Sequence, residues 1–196
     1  MKLCDFGGNI YLGQQKKEYR YTNNNELFTY KLLTQNSIRN RFINPDFLEE
    51  YDSIVKLDDK YLTKKGDIIV CSKQPYNVVL INDETEENIY ITNNFVILRN
   101  LKIDSYYLYN YLNLLGFNMK FDKEDENKNI TKTDIEQLEI NINKDMLDKV
   151  SELCSRINIR QKSYGKLLDN DEQLIKLIFE KSGCDFDDWW NWWIFS

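Results

Sequence analysis

Residues 61–98 read YLTKKGDIIVCSKQPYNVVLINDETEENIYITNNFVIL, and this stretch sets the fold class. Ile68–Cys71 and Val78–Ile81 are compact apolar runs, too short for helices and rich in the β-branched residues that suit strands. Turn chemistry bounds them: Lys64-Lys65-Gly66-Asp67 before the first, the polar segment Ser72–Asn77 around Pro75 between the two, and the acidic segment Asn82–Asn88 after the second. Two further strands, Ile89–Thr92 and Phe95–Leu98, part at Asn93-Asn94. Short strands on tight turns predict an antiparallel or mixed, strongly curved sheet, and hence an α+β domain.

Toward the N-terminus, residues 3–12 read as a strand interrupted at Gly7 and Gly8 and closed by Gly13. Gln14–Glu26 is a polar loop, and Leu27–Leu33 alternates as a strand. Asn36–Asn44 has no period of its own but holds Arg39 and Arg41, and Pro45-Asp46 opens a short helix with Phe47 and Leu48. Toward the C-terminus, Ser105 is the expected N-cap of a helix carrying Tyr106, Tyr109, Leu112 and Leu115, with Gly116 as its stop. The charged run 122–129, DKEDENKN, is an exposed loop, and Thr131–Ile142 is a helix start followed by an alternating stretch with Ile140 and Ile142 on one face.

The strongest periodicity comes last. With Leu147, Cys154, Gln161, Leu168 and Ile175 at heptad position a, position d falls on Val150, Ile157, Tyr164, Asp171 and Ile178. Eight of these ten positions are apolar, Cys or Tyr, which passes the test for a coiled-coil seam. As one helix, residues 144–181 would reach about 57 Å at ~1.5 Å per residue, and a stripe that long needs a partner. Gly165 and Asp171 weaken the seam, and a helical hairpin folded at 168–171 is the competing reading. The tail 184–196 carries Trp189-Trp190 and Trp192-Trp193 beside Asp185, Asp187 and Asp188. These rings either cap the helix or form a docking patch. The expected organisation is a domain over 1–142, a long helix over 143–182 and a Trp-rich acidic tail over 183–196.

Composition narrows the function. Apolar residues at 42% exclude a disordered chain. The formal charge of −6 argues against nucleic acid at first sight, but residues 1–120 hold 15 basic and 15 acidic groups, so the whole excess lies in 121–196. The four cysteines form no C-x-x-C pair and there is no histidine, which removes Ser-His-Asp and Cys-His chemistry and the usual zinc sites. Asp67 with Lys73 suggests a nuclease only by chance, because an Asp after Gly66 ordinarily closes a turn. No phosphate-binding glycine loop is present. A non-enzymatic, soluble, cytoplasmic protein with no cofactor or metal of its own is expected, as no run approaches ~18 apolar residues.

Leu62–Val70, with its Leu followed by Gly66-Asp67-Ile68, resembles the strand-opening segment of target-recognition domains in type I restriction-modification specificity subunits. The order of features continues the likeness: the polar loop 72–77, the strand 78–81, Thr92-Asn93-Asn94-Phe95, the aromatic helix 106–115, Ile130–Ile142 and the long helix, together covering roughly 1–181. Two departures stand out. The family's proline-bearing segment before the long helix is replaced by Asn141-Ile142-Asn143-Lys144, and one recognition domain and one helix are present where the family has two of each.

The resemblance implies sequence-specific binding of double-stranded DNA by a half-length subunit. A twofold homodimer pairs through Leu147, Val150, Cys154, Ile157, Tyr164, Leu168, Ile175 and Ile178 and docks a type I methyltransferase subunit, with or without a restriction subunit. S-adenosylmethionine would sit on that methyltransferase partner. Candidate DNA contacts are Arg39, Arg41, Lys64, Lys65, Lys73, Gln74, Tyr76, Asn77, Asn93 and Asn94. Arg and Lys reach guanine edges or phosphates, Asn and Gln pair adenine, and Tyr stacks or meets a thymine methyl. Asn93-Asn94 reads more readily as a turn than as a DNA contact, and Lys64-Lys65 more readily as a solvated loop. Arg39 and Arg41 lead, because no structural period accounts for them. The competing function is a coiled-coil interaction or anti-restriction factor that binds a methyltransferase complex without reading DNA.

Overall fold

The computed structural model describes residues 1–17, 27–113, 129–140 and 147–181. The chain divides into two compact units, Met1–Ser155 and Arg156–Ser196.

The first unit is α+β. Its centre is a four-stranded sheet in the order β1 (Asn9–Leu12), β9 (Phe95–Arg99), β6 (Ile68–Cys71) and β7 (Val78–Leu80), with every neighbouring pair antiparallel. Side chains alternate across a strand, so a run apolar at every position must be covered on both faces. That is what happens to the runs in 61–98. Ile68, Val70, Val78, Leu80, Val96 and Leu98 face one core, where they meet Leu3 and Phe6, the helix α1 (Ser105–Tyr111) and the helix α2 (Lys132–Glu136). Ile69, Cys71, Val79, Ile81, Phe95 and Ile97 face the other core, with Leu33, Ile38, Ile43, Ile89 and Ile91.

A second sheet, in the order β5 (Glu49–Ser53), β2 (Phe28–Leu32) and β8 (Ile89–Tyr90), pairs β2 with β5 antiparallel and with β8 parallel. One side of it is wet. Lys31 bonds Glu50 at 3.0 Å and Thr29 bonds Asp52 at 2.6 Å across the β2–β5 register. On the other side Tyr51 stacks on Tyr90 with centroids 5.2 Å apart. A two-stranded hairpin, β3 (Ile38–Arg39) with β4 (Phe42–Ile43), completes the unit.

The strands expected at 27–33, 68–71, 78–81, 89–92 and 95–98 form within two residues of their expected ends. Three details differ. Residues 3–6 are a 3-10 turn, not strand, and only Asn9–Leu12 pairs with β9. The helix α1 is capped by Asp104, whose carboxylate accepts from the Tyr107 amide at 2.8 Å, so Ser105 is its first residue and not its cap. The expected short helix at Pro45 is a single 3-10 turn capped by Asn44, followed directly by β5. The acid-rich sequence EEYDS hides that strand because only Tyr51 and Ser53 turn inward. Gly116, Ile142, most of the run 122–129 and the Trp-rich tail lie outside the described residues.

The helix α3 runs from Leu147 to Lys181. In the first unit its opening turns meet α1: Cys154 is half-buried and lies within electrostatic reach of Asp104 and Tyr107, and its thiol is pushed up by burial and then by the Asp104 charge. In the second unit Tyr164, Leu167, Leu168 and Leu174 are each more than half exposed. At 3.6 residues per turn these four share one face, which takes in residues 167 and 174 beside the expected a and d positions. Val150 and Ile157 are half-buried, and the side chains of Leu147, Ile175 and Ile178 fall outside the described ones. Among the described residues no helix is long and apolar enough to cross a membrane.

Candidate nucleic-acid interface

The strand order sorts the candidate residues into two groups. The turn Lys64–Asp67 enters β6 at the end where β7 and β9 finish, whereas the loop 72–77 joins β6 to β7 at the opposite end, where β9 begins. Asn93-Asn94 sits at the same end as that loop. The Ser72 amide and hydroxyl both donate to the Asn94 carbonyl, each at 2.8 Å. The Asn93 amide donates to the Gln14 carbonyl at 3.1 Å. The chain before it is pressed so close that a Cβ on Gly13 would lie 2.1 Å from the Thr92 carbonyl oxygen, so only glycine fits. Asn93-Asn94 is therefore a turn in backbone terms, and its side chains are nonetheless exposed.

The hairpin β3–β4 joins this group through Gln35, in the 3-10 turn just before β3. Its Nε2 lies 3.3 Å from the Lys73 carbonyl, 3.1 Å from the Gln74 carbonyl and 3.1 Å from the Cys71 sulfur. Burial pushes the Cys71 thiol up, so it is a neutral packing partner there. The hairpin then lies along β7, the edge strand, which it helps to cover. Its inner residues Ile38 and Ile43 are in the second core, while the Tyr109 hydroxyl, from the first, donates to the Arg41 carbonyl at 3.3 Å. Burial pushes the Tyr109 phenol up to about 12, so it stays a proton donor at any ordinary pH.

Asn40 and Arg41 form the two-residue tip, with φ of 51° and 69°. Both positive values are what a type I′ hairpin turn requires, and Asn suits the first position. A side chain larger than Asn or Gly in this region costs roughly 1–2 kcal/mol. Arg41 is exposed, and among the described residues no carboxylate pairs with it. Arg39 lies flat on Phe47, its guanidinium carbon 3.9 Å from the ring centre. Lys73 and Gln74 are exposed and Asn77 half-exposed. The loops 72–77 and 93–94 thus bring Lys73, Gln74, Asn77, Asn93 and Asn94 to one end of the sheet, while the hairpin that carries Arg39 and Arg41 is tied to that end at its base, through Gln35.

Tyr76 departs from expectation. Its ring is 7% exposed and packed in the first core, where it supports the loop from beneath and has little surface to offer a base. Lys64 and Lys65 stand apart at the other end of the sheet. Their turn is explained structurally. Gly66 takes φ of 88°, the Lys64 amide donates to Asp67 Oδ2 at 2.7 Å, and Asp67 is 1% exposed. The buried Arg99 grips that carboxylate with two bonds, Nε to Oδ1 at 2.8 Å and Nη2 to Oδ2 at 2.6 Å, and Nη2 also reaches the Leu62 carbonyl at 2.7 Å. The carboxylate raises the Arg99 pKa above its ordinary value, against the opposing effect of burial. Asp67 and Lys73 belong to opposite ends, so they form no acid-lysine pair.

Sequence reasoning missed Gln35 and Phe47. Neither has a motif, but a weak signal existed: Asn40-Arg41 stands between Ile38-Arg39 and Phe42-Ile43, a two-residue turn between short apolar-bearing arms. Among the described residues no group of His, Cys, Asp and Glu could hold a metal ion.

Residues 13–162 match the model of a protein family described as the type I restriction modification DNA specificity domain. No curated protein matches the sequence. Among solved structures, the chain resembles one from a study of complex assembly and conformational transition in the type I R-M system, with a TM-score of 0.58 at 15% identity. The match covers 90% of this chain and 42% of that one, so this chain spans less than half the length of its structural neighbour.

Proposed function

Because this chain belongs to the family of type I restriction-modification DNA specificity domains, we propose that the sheet end built from 72–77, 93–94 and the β3–β4 hairpin reads a DNA sequence for a methyltransferase complex. The observation that carries this reading is the meeting of Lys, Gln and Asn side chains from the loops 72–77 and 93–94 at one sheet end, with the arginine-bearing hairpin tied to that end at its base and Lys64 and Lys65 left at the other. That mixture suits duplex DNA: Asn and Gln match the adenine edge, Arg the guanine edge, and Lys the phosphates. S-adenosylmethionine and the methyl transfer belong to the partner methyltransferase subunit, and a restriction subunit adds cleavage where one is present.

The exposed stripe Tyr164, Leu167, Leu168 and Leu174 supports a second part of the proposal, a twofold homodimer through α3. Two recognition units would then read a split palindrome. Selection of bound sequences from a random duplex library by the full chain tests both parts. A split palindromic motif is the expected result, and recovery of no motif removes the DNA-reading function. Leu167→Asp with Leu168→Asp should convert a dimer to a folded monomer in sedimentation and weaken DNA binding roughly 100-fold through lost avidity. A wild-type monomer excludes the homodimer.

The same stripe, with the acidic excess confined to 121–196, favours a second reading: a factor that binds a methyltransferase complex without touching DNA. Salt separates the two. DNA affinity falls steeply between 50 and 200 mM salt, by roughly 10³ or more for six phosphate contacts, whereas an apolar contact barely responds.

A further inference from the structure

The β3–β4 hairpin combines four properties that its packing does not need together. Its tip residue Arg41 holds a left-handed backbone that a glycine or asparagine would adopt more easily. The tip is fixed from below, because the Tyr109 hydroxyl bonds the Arg41 carbonyl and leaves the side chain pointing away from the core. Among the described residues the Arg41 guanidinium has no carboxylate partner. Arg39, one residue before the turn, stacks on Phe47. A strained, rigidly mounted arginine that the core does not use is the pattern of a functional position.

The shape of the element suggests how it works. A two-stranded ribbon fits the major groove of B-form DNA, and a guanidinium at its tip can donate to O6 and N7 of guanine together. We propose that β3–β4 is a reading finger in which Arg41 selects a guanine in the major groove and Arg39, braced by Phe47, anchors the flanking phosphate. This rests on the DNA-reading function proposed above and assigns a division of labour within it. Gln35 ties the base of the finger to the loop 72–77.

The two arginines then fail in different ways. The full chain and its variants Arg41→Lys, Arg41→Gly and Arg39→Ala are each used to select from a random duplex library, and their affinities are measured against salt. Arg41→Lys keeps the charge but loses the paired donors, and Arg41→Gly removes the side chain while relaxing the backbone. Both should erase a guanine preference at one position of each half-site, a loss of roughly ten-fold discrimination or more. Arg39→Ala should leave the motif intact, weaken all sequences alike and lower the salt slope by about one.

Arg41→Gly retaining the wild-type motif at wild-type affinity, with an unchanged melting temperature, would overturn the finger. So would a motif altered by Arg39→Ala alone. A wild-type chain that selects no motif is a different result, since it removes the DNA-reading function itself and the finger with it.

Discussion

At the Lys64–Asp67 end of the central sheet a buried carboxylate and a buried guanidinium satisfy each other; at the Ser72–Asn77 end the lysine and amide side chains turn outward. Asp67, Arg99 and the Leu62 carbonyl form a closed buried network, while Lys73, Gln74, Asn93 and Asn94 present their side chains to solvent. The comparison shows which part of a recognisable motif does what. The Gly66-Asp67-Ile68 segment that makes the family visible in this sequence is an architectural device: glycine for a left-handed turn, aspartate for a buried arginine, isoleucine to open a strand. The residues assigned to reading lie about one short strand away and carry no motif at all.

The sharpest way to break this contrast is Asp67→Ala. It leaves the Arg99 guanidinium buried without its carboxylate and should cost about 3–5 kcal/mol in urea unfolding. A loss below ~1 kcal/mol would mean that water reaches Arg99 and that this end is not closed. Gly13→Ala tests the opposite end. Its Cβ has no room beside the Thr92 carbonyl, so the turn at Asn93-Asn94 must shift. The expected cost is about 1–3 kcal/mol, with a larger proportional loss in DNA binding than Asp67→Ala shows among the molecules that remain folded. Equal losses in both variants would make the two ends indistinguishable. The smallest effect belongs to Lys64→Ala with Lys65→Ala. Stability should stay within ~0.5 kcal/mol and the salt slope of DNA binding should not move. A slope lowered by about one or two would bring that turn into the interface and dissolve the contrast.

Legibility in the sequence followed the same division. Strands β6, β7 and β9 were readable because burial on both faces demands unbroken apolar runs, which few other arrangements produce. Strand β5 was not, because an edge strand with one wet face shows only Tyr51 and Ser53 of its five residues to the interior. The hairpin β3–β4 escaped for a related reason: two residues per arm are too few to display a period of two. Arg39 and Arg41 stand out in the sequence for lacking a structural explanation; in the structure Arg39 stacks on Phe47, and among the described residues no carboxylate pairs with Arg41. The burial of Tyr76 is not legible in the sequence, because an aromatic inside a polar loop looks the same whether it points out or in.

By itself the sequence determined the family, the α+β class, the positions of the central strands and the turn role of Asp67. All of these are local: they follow from apolar periodicity, turn residues and caps within a few positions of one another. Only the tertiary structure decided that Arg99 is the partner of Asp67, that Gln35 ties the hairpin to the loop 72–77, and that Lys64-Lys65 and Lys73-Gln74 occupy opposite ends of one sheet. Each of these depends on strand order and register, which join Gln35 to Lys73 and Asp67 to Arg99, 38 and 32 positions apart, and hold Lys64 and Lys73 at opposite ends. No local pattern encodes that choice, because it is made by the whole core burying its two apolar faces at once.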